Sequence, residues 1–209
     1  MKNMKQLITT LFACLLSLSL NAQTENSFNF ELELQKSVES MTSIESDFTQ
    51  IKHLDMFDED VESKGKFAYK KEGKIYMNYL SPTDYTVIIN NQKLKIVAGK
   101  AKTIMQLGEN KAMNGLQDMI TACMVGDLSR LKANYNIQVD DNLKNYTINI
   151  VPKSQSIREF VNKIVIKLNK IDMSVDELIM FENENDYTKY IFTNKRFNQL
   201  TDETIFSVD

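Results

Sequence analysis

The sequence is poor in the residues that carry most protein chemistry. Its 209 residues hold one histidine, two cysteines, two prolines, six glycines and no tryptophan. One histidine cannot build a His-rich metal centre, and two cysteines cannot build a Cys-based zinc site. No phosphate loop, GxGxxG, HExxH or GxSxG pattern occurs. A Ser-His-Asp or Cys-His site would have to use His53, which lies beside an acidic turn with no nucleophile near it. The alternating Asp55, Asp58, Asp60 and Glu62 lack the glycine of an EF-hand loop and read as a solvated turn. A basic surplus is also missing. With 25 Lys and Arg against 28 Asp and Glu, the net charge is −3, and nucleic acid is not an expected partner. The chain is read as a non-enzyme with no cofactor and no metal.

What is present is an ordinary globular composition, 43% hydrophobic and 25% charged, which excludes both disorder and a membrane bundle. The first 22 residues stand apart. Lys2 and Lys5 precede the apolar run Leu7–Leu20, and Asn21-Ala22-Gln23 follows it. A basic start, an apolar stretch short of the roughly 20 residues of a membrane span, and a small residue at the exit read as a secretory signal. Cleavage is placed after Ala22. This removes two lysines and no acid, taking the net charge from −3 to −5. Leu11-Phe12-Ala13-Cys14 is loosely similar to a lipid-attachment box, but the apolar Leu15–Leu20 run that follows favours an ordinary cysteine within the signal. Residues 23–209 are then expected as one domain, with Cys123 as its single cysteine and no intramolecular disulfide.

Along that domain the hydrophobic period changes twice. Residues 28–41 read as a helix, with Leu34, Val38 and Met41 on one face. From Ile44 the pattern shortens toward alternation, weakly around Phe48 and then clearly at 66–70, 74–79, 85–89, 93–97 and 103–107. Met113, Leu116, Ile120, Cys123 and Met124 recur at helical spacing, and Asp127 is placed to cap a short turn through Leu131. Alternation resumes at 135–139, 146–151, 163–168, 175–181, 187–193 and 204–208. The expectation is a mainly β domain of about a dozen short strands, a curved antiparallel sheet or open barrel with helices over one face or mouth.

The apolar residues fall into two sets. Phe48, Phe67, Tyr69, Ile75, Met77, Tyr79, Val87 and Ile89 point to one side of the early strands. Leu34, Val38, Met113, Leu116, Met119, Ile120 and Met124 line the two helices. Eleven methionines suit either a closed core or an adaptable greasy surface, and the residues alone leave both open.

Several segments in order resemble the LolA-type periplasmic carriers of outer-membrane lipoproteins, a superfamily shared with LolB receptors. Ser40–Gln50 resembles the family's helix end followed by a Phe-x-Gln strand. Gly65–Lys70 is similar to its Gly-led second strand, and Tyr79-Leu80-Ser81-Pro82 to its aromatic-then-Pro segment. Val87–Val97, Tyr146–Lys153 and Tyr187–Asn198 with Phe206 complete the series over residues 28–208. The resemblance implies an unclosed antiparallel β-barrel of about 11–12 strands with an α-helical lid over an apolar cavity that shields lipoprotein acyl chains, with the strand set above as its floor and the helical set as its lid. It further implies a periplasmic monomer in a Gram-negative-type bacterium, carrying acylated lipoproteins or other lipids from an inner-membrane releasing complex to an outer-membrane acceptor. A carrier of another lipid or glycolipid, or an envelope sensor, is the alternative. Family members place an Arg, then Pro, after the second strand as a latch on the lid. Here Lys70-Lys71 and Glu72-Gly73 stand there, so Lys70 and Lys71 are the candidate latch, and a lysine offers a point charge rather than a planar fork.

Overall fold

The computed structural model describes residues 30–57, 59–107, 122–123, 127–129 and 131–209. Two compact units divide the chain, with the boundary between Lys36 and Ser37. The first is described only by the helical residues 30–36, of which Phe30 and Leu34 are buried. The second contains the end of that helix, to residue 40, and every strand described.

Eleven strands form one antiparallel sheet. They are β1 Ser43–Leu54, β2 Glu59–Lys70, β3 Lys74–Ser81, β4 Tyr85–Asn90, β5 Lys93–Ala98 and β6 Ala101–Gln106. After the mid-chain segment come β7 Tyr135–Asp141, β8 Asn145–Pro152, β9 Lys163–Asn169, β10 Val175–Phe181 and β11 Tyr187–Phe197. Their order is β6-β5-β4-β3-β2-β1-β11-β10-β9-β8-β7, so the sheet does not close on itself. Each half is a run of hairpins between sequence neighbours. A single long-range pairing joins the halves, Phe48 on Phe192 and Gln50 on Tyr190 between β1 and β11.

The turns follow from their residues. Glu72 and Gly73 both take positive φ between β2 and β3, where Gly73 adopts the left-handed region without cost. Asn91, at φ 54° in the two-residue turn between β4 and β5, belongs to the side-chain type that best tolerates it. The turn expected at 53–60 is a 3₁₀ turn, Asp55–Phe57, between longer strands than expected; β2 begins at Glu59 rather than Lys66. Its polar Glu59–Ser63 section has no apolar alternation to read. The expected strand at 204–208 is instead a 3₁₀ turn, Thr204–Phe206, begun by the Asp202 carboxylate accepting from the Thr204 backbone and hydroxyl. Phe206 is buried there, so an apolar residue in a strand-like pattern serves as an anchor.

Register divides the sheet into two faces. The core face carries Ile44, Phe48, Phe67, Tyr69, Ile75, Met77, Tyr79, Tyr190, Phe192, Leu178, Ile164, Ile166, Ile148 and Ile150, all buried. The opposite face of β3–β5 meets the C-terminal residues. The buried Lys95 ammonium donates to the main-chain oxygens of Ser207, at 3.2 Å, and Asp209, at 2.7 Å. A lysine is tolerated in such burial because its donors are satisfied.

Two polar devices hold β1. Asn198, at φ 59°, accepts from the Thr42 backbone at 2.7 Å and its hydroxyl at 2.9 Å, and donates to the Ser40 carbonyl at 3.1 Å. It thereby ties the helix end, the start of β1 and the end of β11. Beside a register shift between β1 and β11 at Glu45/Asp47, the Asp47 carboxylate accepts from Asn194, at 2.7 Å, and from Lys66. The hydrogen bond from Asn194, then that from Lys66, holds its carboxyl below the usual value of 3.8.

Gly65 is the tightest point of the sheet. A Cβ there would lie 2.1 Å from the Asn78 carbonyl oxygen and 2.7 Å from the Phe48 ring. Gly65→Ala should cost about 3 kcal/mol or more, whereas Gly73→Ala, with open space around it, should cost about 1 kcal/mol from its φ alone; urea unfolding of both variants measures the contrast. Asp47→Asn should destabilise the protein at neutral pH. Because the folded-state value is depressed, the Asp47 contribution is full above the ordinary carboxylate range and lost as pH falls through the folded value. The gap between wild type and variant in urea unfolding should therefore narrow below about pH 4 and vanish in stronger acid.

Candidate functional site

The predicted floor residues come together on one face. Phe48, Phe67, Tyr69, Ile75, Met77 and Tyr79 are buried on the core face, and Val87 and Ile89 lie half-buried beside them, paired with Met77 and Ile75. Rings link them across strands. Phe48 meets Tyr79 edge-on at 4.9 Å, Phe67 contacts Phe192 at 5.2 Å, and Tyr79 stacks on Tyr85 at 4.2 Å. Phe192 and Tyr190 on β11 complete the cluster. Their part in it depends on the β1–β11 pairing, which local pattern does not reveal.

Burial is uneven across this face. On β8–β10, Ile148, Ile150, Ile164, Ile166 and Leu178 are fully buried. On β4–β6, Val87, Ile89, Leu94 and Ile96 are only half-buried, and Met105 is 43% exposed. These five sit on the same register face as Ile75 and Met77. The strand alternation therefore continues into a section of apolar sheet that the chain leaves partly open.

One polar atom is out of place. The Ser46 hydroxyl is buried on the core face and has no hydrogen-bond partner. It lies on β1 between Ile44 and Phe48, opposite Phe67. Phe67 and Phe192, on the two strands flanking β1, bring their rings into contact across it, which a larger side chain at Ser46 would obstruct.

The other expected residues are placed as follows. Leu34 is buried and Val38 half-buried in the helix. Met113, Leu116, Met119, Ile120 and Met124 lie outside the described residues, as does Asp58. Ala122 and Cys123 are helical and buried, and burial pushes the Cys123 thiol well above its ordinary value. Asp127 caps the following turn by accepting from Ser129. Of the candidate latch pair, Lys71 donates to the Glu39 carbonyl at the helix end, at 3.0 Å, and Lys70 pairs with Glu203. That hydrogen bond, and the charge of Lys70, hold the Glu203 carboxyl below its ordinary value.

Two polar places lie away from the core face. His53 lies 2.8 Å from Asp60 and stacks on Tyr187 at 5.0 Å. A cleft of about 510 Å³ on the opposite face is lined by Lys74, Asn90, Lys93, Glu203 and Phe206 among others, where the Lys74 and Glu203 charges offset each other at 3.8 Å. Among the described residues no group of three or more His, Cys, Asp or Glu could hold a metal. Among them, too, no helix is long and apolar enough to cross a membrane.

An open antiparallel sheet with one aromatic-lined, partly uncovered apolar face is a specific arrangement. The model of the outer membrane lipoprotein carrier protein LolA matches residues 39–209. The chain belongs to the LolA family. Among curated proteins none matches it at a significant level. Solved structures share the fold at low identity. An uncharacterised conserved protein from Thermus thermophilus superposes with a TM-score of 0.53 at 9% identity, over 86% of this chain and 94% of that one. MucB, known from Pseudomonas aeruginosa, superposes at 0.50 and 10%, over 88% of this chain and 63% of MucB. A LolA superfamily protein from Nitrosomonas europaea gives 0.44 and 8%, over 85% and 96%. For this LolA-family sheet, Ser46→Ala removes an unpaired buried hydroxyl and should raise stability by about 1 kcal/mol; a lower urea midpoint than wild type would refute the unpaired assignment.

Proposed function

We propose that this LolA-family protein is a periplasmic carrier that shields the acyl chains of lipoproteins on its apolar sheet face and shuttles them from the inner to the outer membrane. The residues expected as a secretory signal, 1–22, would deliver it there. The observation that carries the reading is the contrast across the core face: complete burial on β8–β10, but exposed Met105 and half-buried Val87, Ile89, Leu94 and Ile96 on β4–β6.

The physical need is large. At about 0.8 kcal/mol per buried CH₂, an acyl chain of ordinary length costs on the order of 10 kcal/mol to expose to water. A partly open face suits handover better than an enclosed cavity would, because the cargo must leave as well as enter. The net charge of −5 after removal of the signal keeps the carrier from adhering to anionic membrane surfaces.

Purification from the native envelope followed by mass analysis should recover acylated cargo; triacylated lipoprotein is the expected species, and another lipid would favour the alternative cargo. A protein that emerges empty and extracts nothing from inner-membrane vesicles would sink the reading. Ile96→Asp should lose the cargo while keeping the thermal midpoint within a few degrees, because Ile96 is only half-buried. Ile166→Asp, in the closed part of the face, should unfold the domain.

A further inference from the structure

The core face is not uniformly apolar along its strands. On β1 it runs Ile44, Ser46, Phe48, Gln50, Lys52; on β11, read in the matching direction, it runs Phe192, Tyr190, Thr188. Both strands turn from apolar to polar at the same level, where Gln50 pairs with Tyr190 and Lys52 with Thr188. On β3, beyond β2, the apolar run ends at Tyr79, which registers through Gly65 with Phe48, pairs with Tyr85 of β4 and reaches Gln50 with its hydroxyl. Three phenols and one amide therefore converge at the boundary between a greasy and a wet part of one face.

Their hydrogen bonds are incompletely used. The Tyr79 hydroxyl donates to Gln50 Oε1 at 2.6 Å, and the Tyr190 hydroxyl lies 3.5 Å from that of Tyr79. Among the described residues the Gln50 amide nitrogen has no partner, so two donors remain. Gln50 and Tyr85 are half-exposed while Tyr79 and Tyr190 are buried, so the cluster is anchored from below and open at its rim. Beyond it, Lys52 and Glu182 pair at 3.4 Å, and the rim carries no net charge from that pair. Burial first, and then the other phenol's charge, pushes the Tyr79 hydroxyl far above its ordinary value, so it stays a neutral donor.

We infer that Gln50, Tyr79, Tyr85 and Tyr190 form a head-group site that takes the ester carbonyls and hydroxyls of a neutral glyceryl lipid, with the acyl chains lying toward Val87 and Ile96 of the half-buried section. This deepens the carrier reading and rests on it. Aromatic residues with a polar tip suit such a boundary, since the ring meets the chain and the hydroxyl meets the linkage. The Lys52 ammonium at the rim is already paired with Glu182 rather than free for a phosphate head, and the unused donors match an uncharged carbonyl. The glyceryl ester is common to free glycerolipids and to the lipid of lipoproteins, so the two sources are separated by experiment.

The test compares the full chain with the double variant Gln50→Met, Tyr85→Phe, both positions being half-exposed and the ring stack being kept. Binding is measured for 1-monopalmitoylglycerol, a tripalmitoylated cysteinyl peptide and the ester-free dye N-phenyl-1-naphthylamine. The variant should bind one or both ester lipids at least fivefold more weakly, with the dye within twofold, and the affected lipid identifies the source. Unchanged binding of both ester lipids, or an equal loss for the dye, overturns the site while leaving the carrier reading intact. Wild type that binds none of the three overturns both. Tighter wild-type binding of palmitoyl lysophosphatidylglycerol than of monopalmitoylglycerol overturns the neutral-head assignment.

Discussion

The architecture depends on β1 being paired along both of its edges. Its twelve residues are bonded to β2, which follows directly, and to β11, which lies more than a hundred residues downstream. The first pairing is a local hairpin. The second joins two sets of hairpins into one sheet, and closing a loop over that separation carries an entropic cost that none of the local hairpins has. Asn198 secures the junction at one end by engaging the helix end and the first residues of β1 together. At Gly65 the absence of a Cβ lets the Phe48 ring lie against the neighbouring strand. From that contact spreads the aromatic cluster of Tyr79, Tyr190, Phe67 and Phe192.

The same face does two kinds of work. Over β8–β10 it is closed, with isoleucines and leucines packed to complete burial, and this section resembles an ordinary core. Over β4–β6 the alternation persists but burial is incomplete, with Val87, Ile89, Leu94 and Ile96 half-buried and Met105 exposed, so apolar surface remains accessible there. Stability and accessibility are separated along the sheet rather than compromised at every position. Ser46 is a small-scale instance: its unpaired hydroxyl is a local cost, but its size lets rings from both flanking strands meet above it.

Much of this was legible in the sequence. Strands with clean alternation, such as Lys74–Tyr79 and Lys163–Leu168, were readable because one face is buried and the other solvated. That Phe67, Ile75, Met77, Val87 and Ile89 share one face followed from the same alternation. Glu59–Ser63 was not readable, since its one apolar residue, Val61, is exposed and that part of β2 is held by backbone pairing to β1 alone. Thr204–Val208 misled for the opposite reason. Its apolar residues, Phe206 and Val208, are buried as an anchor on the far side of the sheet, and burial without extended pairing leaves the same hydrophobic signature as a strand.

The sequence by itself determined the class of this protein. Two helical stretches and a dozen short alternating segments specify a mainly β, antiparallel fold, and the order of its motifs points to the LolA family. What only the tertiary structure decided is which apolar residues are closed and which are open. Val87 and Ile164 carry the same alternating signal, yet one is half-buried and the other fully buried. Alternation reports which face a side chain points to, a property of the strand itself. Whether anything lies over that face, and where its polar end meets it, depends on elements distant in the chain, as the meeting of Gln50 with Tyr190 across β1 and β11 illustrates.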